Sequence, residues 1–210
     1  MATVRTLQRF SVPKVPILLV YAVGFIPAAW TFWLAFADKL GADPVRALEH
    51  GIGLWALRFL IATLCITPLR QLAGLNLLRY RRALGLLAFW YALLHLTTWL
   101  LFDRGLDPHA ILADILKRPY ITIGMLSLAI LLPLAVTSNA WSIRKLGGPA
   151  WARLHKLAYV AIALAALHFV MVLKTWQPEP LIYAAIVAAL LGYRAVKAFR
   201  KPQRPRPVRA

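Results

Sequence analysis

Apolar stretches of about twenty residues alternate with short polar segments along nearly the whole chain. They fall at approximately 16–37, 48–68, 82–102, 119–137, 151–173 and 180–199. A helix needs about 20 apolar residues to cross the hydrocarbon core of a bilayer. A lipid-exposed backbone must satisfy its own hydrogen bonds, so helices are the form expected of each stretch. The pattern predicts an all-α fold, an integral membrane bundle of six transmembrane helices over residues 16–199. Residues 1–15 form a short N-terminal segment and 200–210 a basic, Pro-rich tail. Pro27, Pro68 and Pro133 lie in or at the ends of stretches, where kinks or early ends are expected. Trp30, Trp33, Trp99, Tyr120, Trp141, Trp151 and Trp176 fall near stretch ends, as interfacial anchors do. Ala35-Phe36-Ala37 has the form of a signal-cleavage site. The preceding run is longer than the roughly 7–15 residues of a signal h-region, so it is read as an uncleaved first span.

Charge gives a direction. With the N-terminus inside, the inner segments hold 18 Lys and Arg and no acid, whereas the outer ones hold six Lys and Arg with all seven acids. That bias puts both termini in the cytoplasm. The tail RKPQRPRPVRA is expected to lie along the anionic inner leaflet. The formal charge of +18 could suggest nucleic acid, but the basic residues sit between apolar runs, where they set topology instead. Cys65 is single and lies inside an apolar run, so it reads as a core residue. No loop is longer than about 17 residues, and no Walker, dinucleotide-binding or metalloprotease motif is present. Any soluble catalytic module must be another protein. The chain reads as a subunit rather than a stand-alone enzyme.

Ionisable groups inside spans are costly and mark function. His95 lies in the third stretch and His168 in the fifth. Counting at 1.5 Å per residue from the inner side puts them roughly 20 and 25 Å along, both in the outer half. Two imidazoles at matched depth can be the axial ligands of one haem. His155, about one turn into the fifth stretch, lies roughly 20 Å deeper toward the inner face. Its counterpart on the third stretch falls at Arg81 or Arg82, where there is no histidine. Thirteen positions at 100° also put His155 and His168 about 140° apart on an ideal helix. A bis-histidine inner haem is therefore not supported. His155 is open to serving as a single ligand, a partner of an arginine in an inner cofactor site, a quinone or flavin contact, or an interfacial residue. Arg58, within the second stretch, needs a partner, and a haem propionate is a candidate. Arg81 and Arg82, in RYRRALG, suit a flavin phosphate or a docked flavoprotein as well as topology. His50 and His109 lie at the outer side and read as interfacial or solvated.

A set of segments in order sharpens this reading: GADPV (41–45), ATLCITPL (62–69), RRALGL (81–86), LHLTTW (94–99), KRPYITIG (117–124), RKLGGPAWARLHKLAYV (144–160) and PLIYA (181–185). Together they resemble the MsrQ (YedZ) family, haem-binding membrane subunits of bacterial periplasmic methionine-sulfoxide reductase systems and relatives of the ferric-reductase-like transmembrane domains. The resemblance implies an inner-membrane electron conduit with haem b, and FMN in some members. Electrons would come from the quinone pool or a cytoplasmic flavin reductase and pass to a periplasmic molybdopterin subunit that reduces methionine sulfoxide. The family's histidines fall on His95, His155 and His168. Rival readings are a transporter with histidine proton relays and a non-redox membrane anchor for a periplasmic partner.

Overall fold

The computed structural model describes residues 14–172 and 177–200. Trp176, the tail beyond residue 200, and the basic residues Arg5, Arg9 and Lys174 that enter the charge count fall outside them. Nine α-helices occur among the described residues: α1 (Ile17–Phe36), α2 (Pro44–Leu72), α3 (Arg81–Thr98), α4 (Pro108–Lys117), α5 (Pro119–Val136), α6 (Ala140–Leu146), α7 (Gly148–Leu154), α8 (Ala158–Val172) and α9 (Pro178–Phe199). A 3-10 turn, Leu78–Tyr80, leads into α3 and a π-helical turn, Trp99–Asp103, continues it. A second 3-10 turn, His155–Leu157, joins α7 to α8. Six helical segments are long and apolar enough to cross a membrane: 17–36, 44–72, 78–103, 119–136, 148–172 and 178–199.

Helix starts follow local chemistry. Pro44, Pro108, Pro119 and Pro178 open α2, α4, α5 and α9, at positions whose N–H would have no intrahelical partner anyway. The Asp43, Asp107 and Asn139 side chains each accept a backbone N–H of the helix they precede. Two loop helices, α4 and α6, carry no span-length apolar run, and the hydrophobicity pattern alone passes over them.

Neighbouring helices bond to the backbone at two of the prolines inside helices. Pro68 has no N–H to give the Leu64 carbonyl, four residues earlier. The Arg194 guanidinium on α9 donates to that carbonyl at 2.7 Å, and α2 runs on to Leu72. At Pro27 in α1, the Tyr91 hydroxyl donates to the Gly24 carbonyl at 2.7 Å and accepts the Ala28 N–H at 2.9 Å. Gly24 is small for a reason: a Cβ there would run into the Leu87 side chain.

Two apolar clusters hold the bundle. One joins α2, α3, α5, α8 and α9 through Leu60, Leu64, Phe89, Leu131, Ile162 and Val187. The other packs α1 on α2 and α3 through Ala28, Ile52, Leu87 and Tyr91. Helices α2 and α5 run from the acidic end of the bundle to the basic end, and α3 and α8 return. The site lies between these two antiparallel pairs.

Candidate functional site: paired histidines over two glycines

His95, near the end of α3, and His168, near the end of α8, meet across the acidic half of the bundle. Their ring centres are 6.1 Å apart with the planes at 73°. Each ring is fixed in the same way. His95 Nδ1 is 2.9 Å from the Glu49 carbonyl on α2, and His168 Nδ1 is 2.7 Å from the Tyr120 carbonyl on α5. A carbonyl can only accept, so each Nδ1 carries the hydrogen. In the neutral ring Nε2 then keeps its lone pair, the form that binds a metal.

One helical turn beyond each carbonyl stands a glycine, Gly53 after Glu49 and Gly124 after Tyr120. A Cβ on Gly53 would lie 3.0 Å from His95 Nδ1, and one on Gly124 would lie 2.9 Å from His168 Nδ1. Carbonyl and glycine together form a cradle, built once on α2 and again on α5. Sequence reasoning missed both glycines. The signal was present: each sits inside a span, on a helix with no turn to explain it, a position usually kept for a close approach.

The two rings line a cavity of about 1130 Å³. Its walls are mostly apolar, with Leu57, Leu60 and Phe169 among them, and its mouth is polar, with Arg46, Glu49, His50 and Arg104. Glu49 Oε1 is buried without a hydrogen-bond partner, so an incoming group with an O–H or N–H would satisfy it. His50 pairs with Glu179 at 3.6 Å and tilts against Phe169. Beside the mouth, Asp114 of α4 bridges Arg104 at 3.1 Å and Arg118 at 3.4 Å. A hydrogen bond to the Tyr120 hydroxyl, helped by the Asp114 charge, holds the Arg118 guanidinium above its ordinary pKa.

The residues fit a haem. Metal–imidazole bonds of about 2 Å put the centres of two rings sharing one metal roughly 6 Å apart. The observed spacing matches. Among the described residues, no three His, Cys, Asp or Glu side chains gather as a metal nest. A porphyrin brings four nitrogens of its own and needs only the two imidazoles.

His155 is built differently and lies outside this cavity. Its ring stacks on Trp151, with centres 3.9 Å apart. The Trp151 indole N–H donates to the Thr137 carbonyl at 2.9 Å. Thr137 gives its hydroxyl hydrogen to the Pro133 carbonyl at 2.7 Å, so it accepts from His155 Nε2 at 3.0 Å. His155 thus carries its hydrogen on the nitrogen opposite to that of His95 and His168. The 3-10 turn starting at His155 also breaks the ideal-helix geometry behind the 140° estimate. Arg58 does not line the cavity. Its Nε donates to the Tyr183 hydroxyl at 2.8 Å, and its guanidinium lies over the Trp55 ring at 4.9 Å. Arg81 is half-buried at the start of α3 and Arg82 is exposed. His109 is exposed at the start of α4.

A helical membrane bundle that aims paired imidazoles into one cavity defines a class of haem-carrying transmembrane domain. The family described as "Ferric reductase like transmembrane component" matches residues 52–166. Three proteins named "Protein-methionine-sulfoxide reductase heme-binding subunit MsrQ", from Brucella ovis, Brucella canis and Brucella suis, are each 60% identical to this chain over 187 residues, covering 89% of it and 84% of their own length. The chain belongs to the ferric-reductase-like transmembrane family and, within it, to the MsrQ proteins.

Proposed function

We propose that the chain is the haem b-carrying, electron-transfer subunit of a bacterial inner-membrane methionine-sulfoxide reductase system. The observation that carries this is the pair of imidazoles, each with Nδ1–H on a backbone carbonyl and each seated over a glycine. An iron porphyrin held by two such rings supplies one-electron transfer without a change of ligands. The residues of the chain do the rest. The carbonyls of Glu49 and Tyr120 set the tautomer and hold the rings still. The apolar walls keep bulk water away. At the mouth Arg46, Arg104 and Arg118 line the cavity, each also paired with a carboxylate, and would meet the acidic edge of the group; Arg58 lies outside the lining, held on Tyr183.

The positive-inside bias supports cytoplasmic termini and a periplasmic mouth. Electrons enter at the basic face, from the quinone pool or a cytoplasmic flavin reductase, and leave at the mouth for a periplasmic molybdopterin methionine-sulfoxide reductase that repairs oxidised proteins. The names of the relatives support the reductase assignment. Arg81, Arg82 and His155 lie at the entry face, where a second haem, FMN or a flavoprotein donor would meet the chain.

The test is pyridine-haemochrome quantification with absorption spectroscopy on protein purified from haem-replete cells. Wild type should show a low-spin b-type spectrum. His95→Ala and His168→Ala should each abolish it, while His155→Ala should leave the His95–His168 signal in place. A colourless wild type would refute the proposal and favour a proton-relay transporter. A coloured protein whose histidine variants still sustain the partner's reductase activity would reduce it to a membrane anchor.

A further inference from the structure

At the opposite end of the bundle two arginines converge without any carboxylate. Arg194 reaches inward from the last turns of α9. It donates to the Leu64 carbonyl at 2.7 Å, the Thr67 hydroxyl at 3.1 Å and the Tyr159 hydroxyl at 3.2 Å. Its guanidinium also lies over the Tyr159 ring, 5.2 Å from the centre. Arg81, at the start of α3, lies close enough to Tyr159 and to Arg194 for their charges to act on one another. It is also within charge range of His155.

Topology explains only part of this. The bond to Leu64 repairs the ladder broken by Pro68, so one edge of the Arg194 guanidinium has a structural duty. Its Nε–H remains buried with no acceptor. All seven acidic residues of the chain lie at the other set of helix ends, so no carboxylate is in reach. Tyr159 accepts from Arg194, which leaves its own O–H free to donate. Two cations, unspent N–H groups and a free hydroxyl are a donor set for an anion with several acceptor oxygens. Arg81, Tyr159 and Arg194 are each only half-buried, so the group has an open side.

We propose that Arg81, Tyr159 and Arg194 form a binding site for a phosphate group at the basic end of the bundle. The site lies where basic pockets between transmembrane helices take the headgroups of anionic lipids. A soluble phosphate monoester offers the same chemistry from the aqueous side. The proposal stands whether or not the cavity at the other end holds haem.

The experiment is native mass spectrometry of delipidated protein titrated with phosphatidylglycerol, with phosphatidylcholine as the neutral control. In parallel arms, inorganic phosphate and flavin mononucleotide are added as soluble competitors. Wild type should prefer phosphatidylglycerol, and Arg194→Met should weaken that binding by about tenfold or more, as loss of charge-assisted bonds requires. Arg194→Lys should retain part of it. Because Arg194→Met also frees the Leu64 carbonyl, Arg81→Met and Tyr159→Phe carry the test if that variant fails to fold. Both leave the Leu64 bond intact and should still lose affinity. Competition by flavin mononucleotide or phosphate that depends on the same residues would assign the site to a soluble ligand. No competition would assign it to lipid. If wild type and all variants bind phosphatidylglycerol and both soluble phosphates alike, the proposal is wrong.

Discussion

A glycine inside a membrane span is a small residue with a measurable role here. Gly53 and Gly124 leave room for an imidazole where any side chain would touch its Nδ1. Gly53→Ala or Gly124→Ala should push the ring off its carbonyl and lower haem content several-fold, with a shifted redox midpoint in whatever haem is retained. Gly85 is the control. A Cβ there meets only a Thr63 methyl at 4.0 Å. Gly85→Ala should therefore leave haem content unchanged and gain about 0.5–1 kcal/mol of helix stability. Equal haem content in all three variants would remove the cradle from the account. The three histidines also differ at this scale in a way that spacing cannot show. The carbonyls beside His95 and His168 fix the hydrogen on Nδ1, whereas Thr137 fixes it on Nε2 of His155.

At the scale of elements, the short helix α4 is the least expected piece. It carries Asp114, 8% exposed, between Arg104 at the end of the π-helical turn and Arg118 before α5. Thr122 on α5 also bonds back to the Ile115 carbonyl at 2.7 Å. These contacts hold α4 beside the cavity mouth. Asp114→Asn removes the charge on which two guanidiniums converge. The expected result is faster proteolysis and faster hydrogen exchange across 104–118, with the spans still protected. Unchanged exchange there would mean that Thr122 and apolar packing suffice. The prolines teach a related lesson: Pro68 does not end α2, because Arg194 on another element supplies the bond its missing N–H cannot, and beside Pro27 the Tyr91 hydroxyl bridges the Gly24 carbonyl and the Ala28 N–H.

For the whole molecule, six crossings return the chain to the side on which it began. Reporters fused at either terminus should therefore give cytoplasmic signals, and a single cysteine placed at Gly105 should react with an impermeant thiol reagent from the periplasm. The opposite pattern would invert the proposed direction of electron flow. The bundle is organised as two antiparallel pairs, α2 with α3 and α5 with α8. Each contributes one histidine, one carbonyl and one glycine to the same cavity. That correspondence is not visible as a repeat, because EHGIG on α2 and YITIG on α5 share little beyond the final Ile-Gly.

How much was legible follows from the physics of each feature. Span number and type could be read from residues 14–200 because burial in lipid demands about twenty apolar residues in a row, a local property of the chain. The matched depth of His95 and His168 was also local, a count of residues from the basic end at a fixed rise. Rotation about the helix axis, ring orientation and tautomer were not local. They depend on which carbonyl of a neighbouring helix meets each ring, and so on how α2 packs on α3 and α5 on α8. The partner of Arg58 was out of reach for the same reason: Tyr183 lies 125 positions away in the chain and comes close only when α9 docks. The sequence by itself determined a six-span helical bundle with one basic end and two histidines at one level. Only the tertiary structure decided that those rings face one cavity over two glycines, because helix packing sets what the ends of side chains meet.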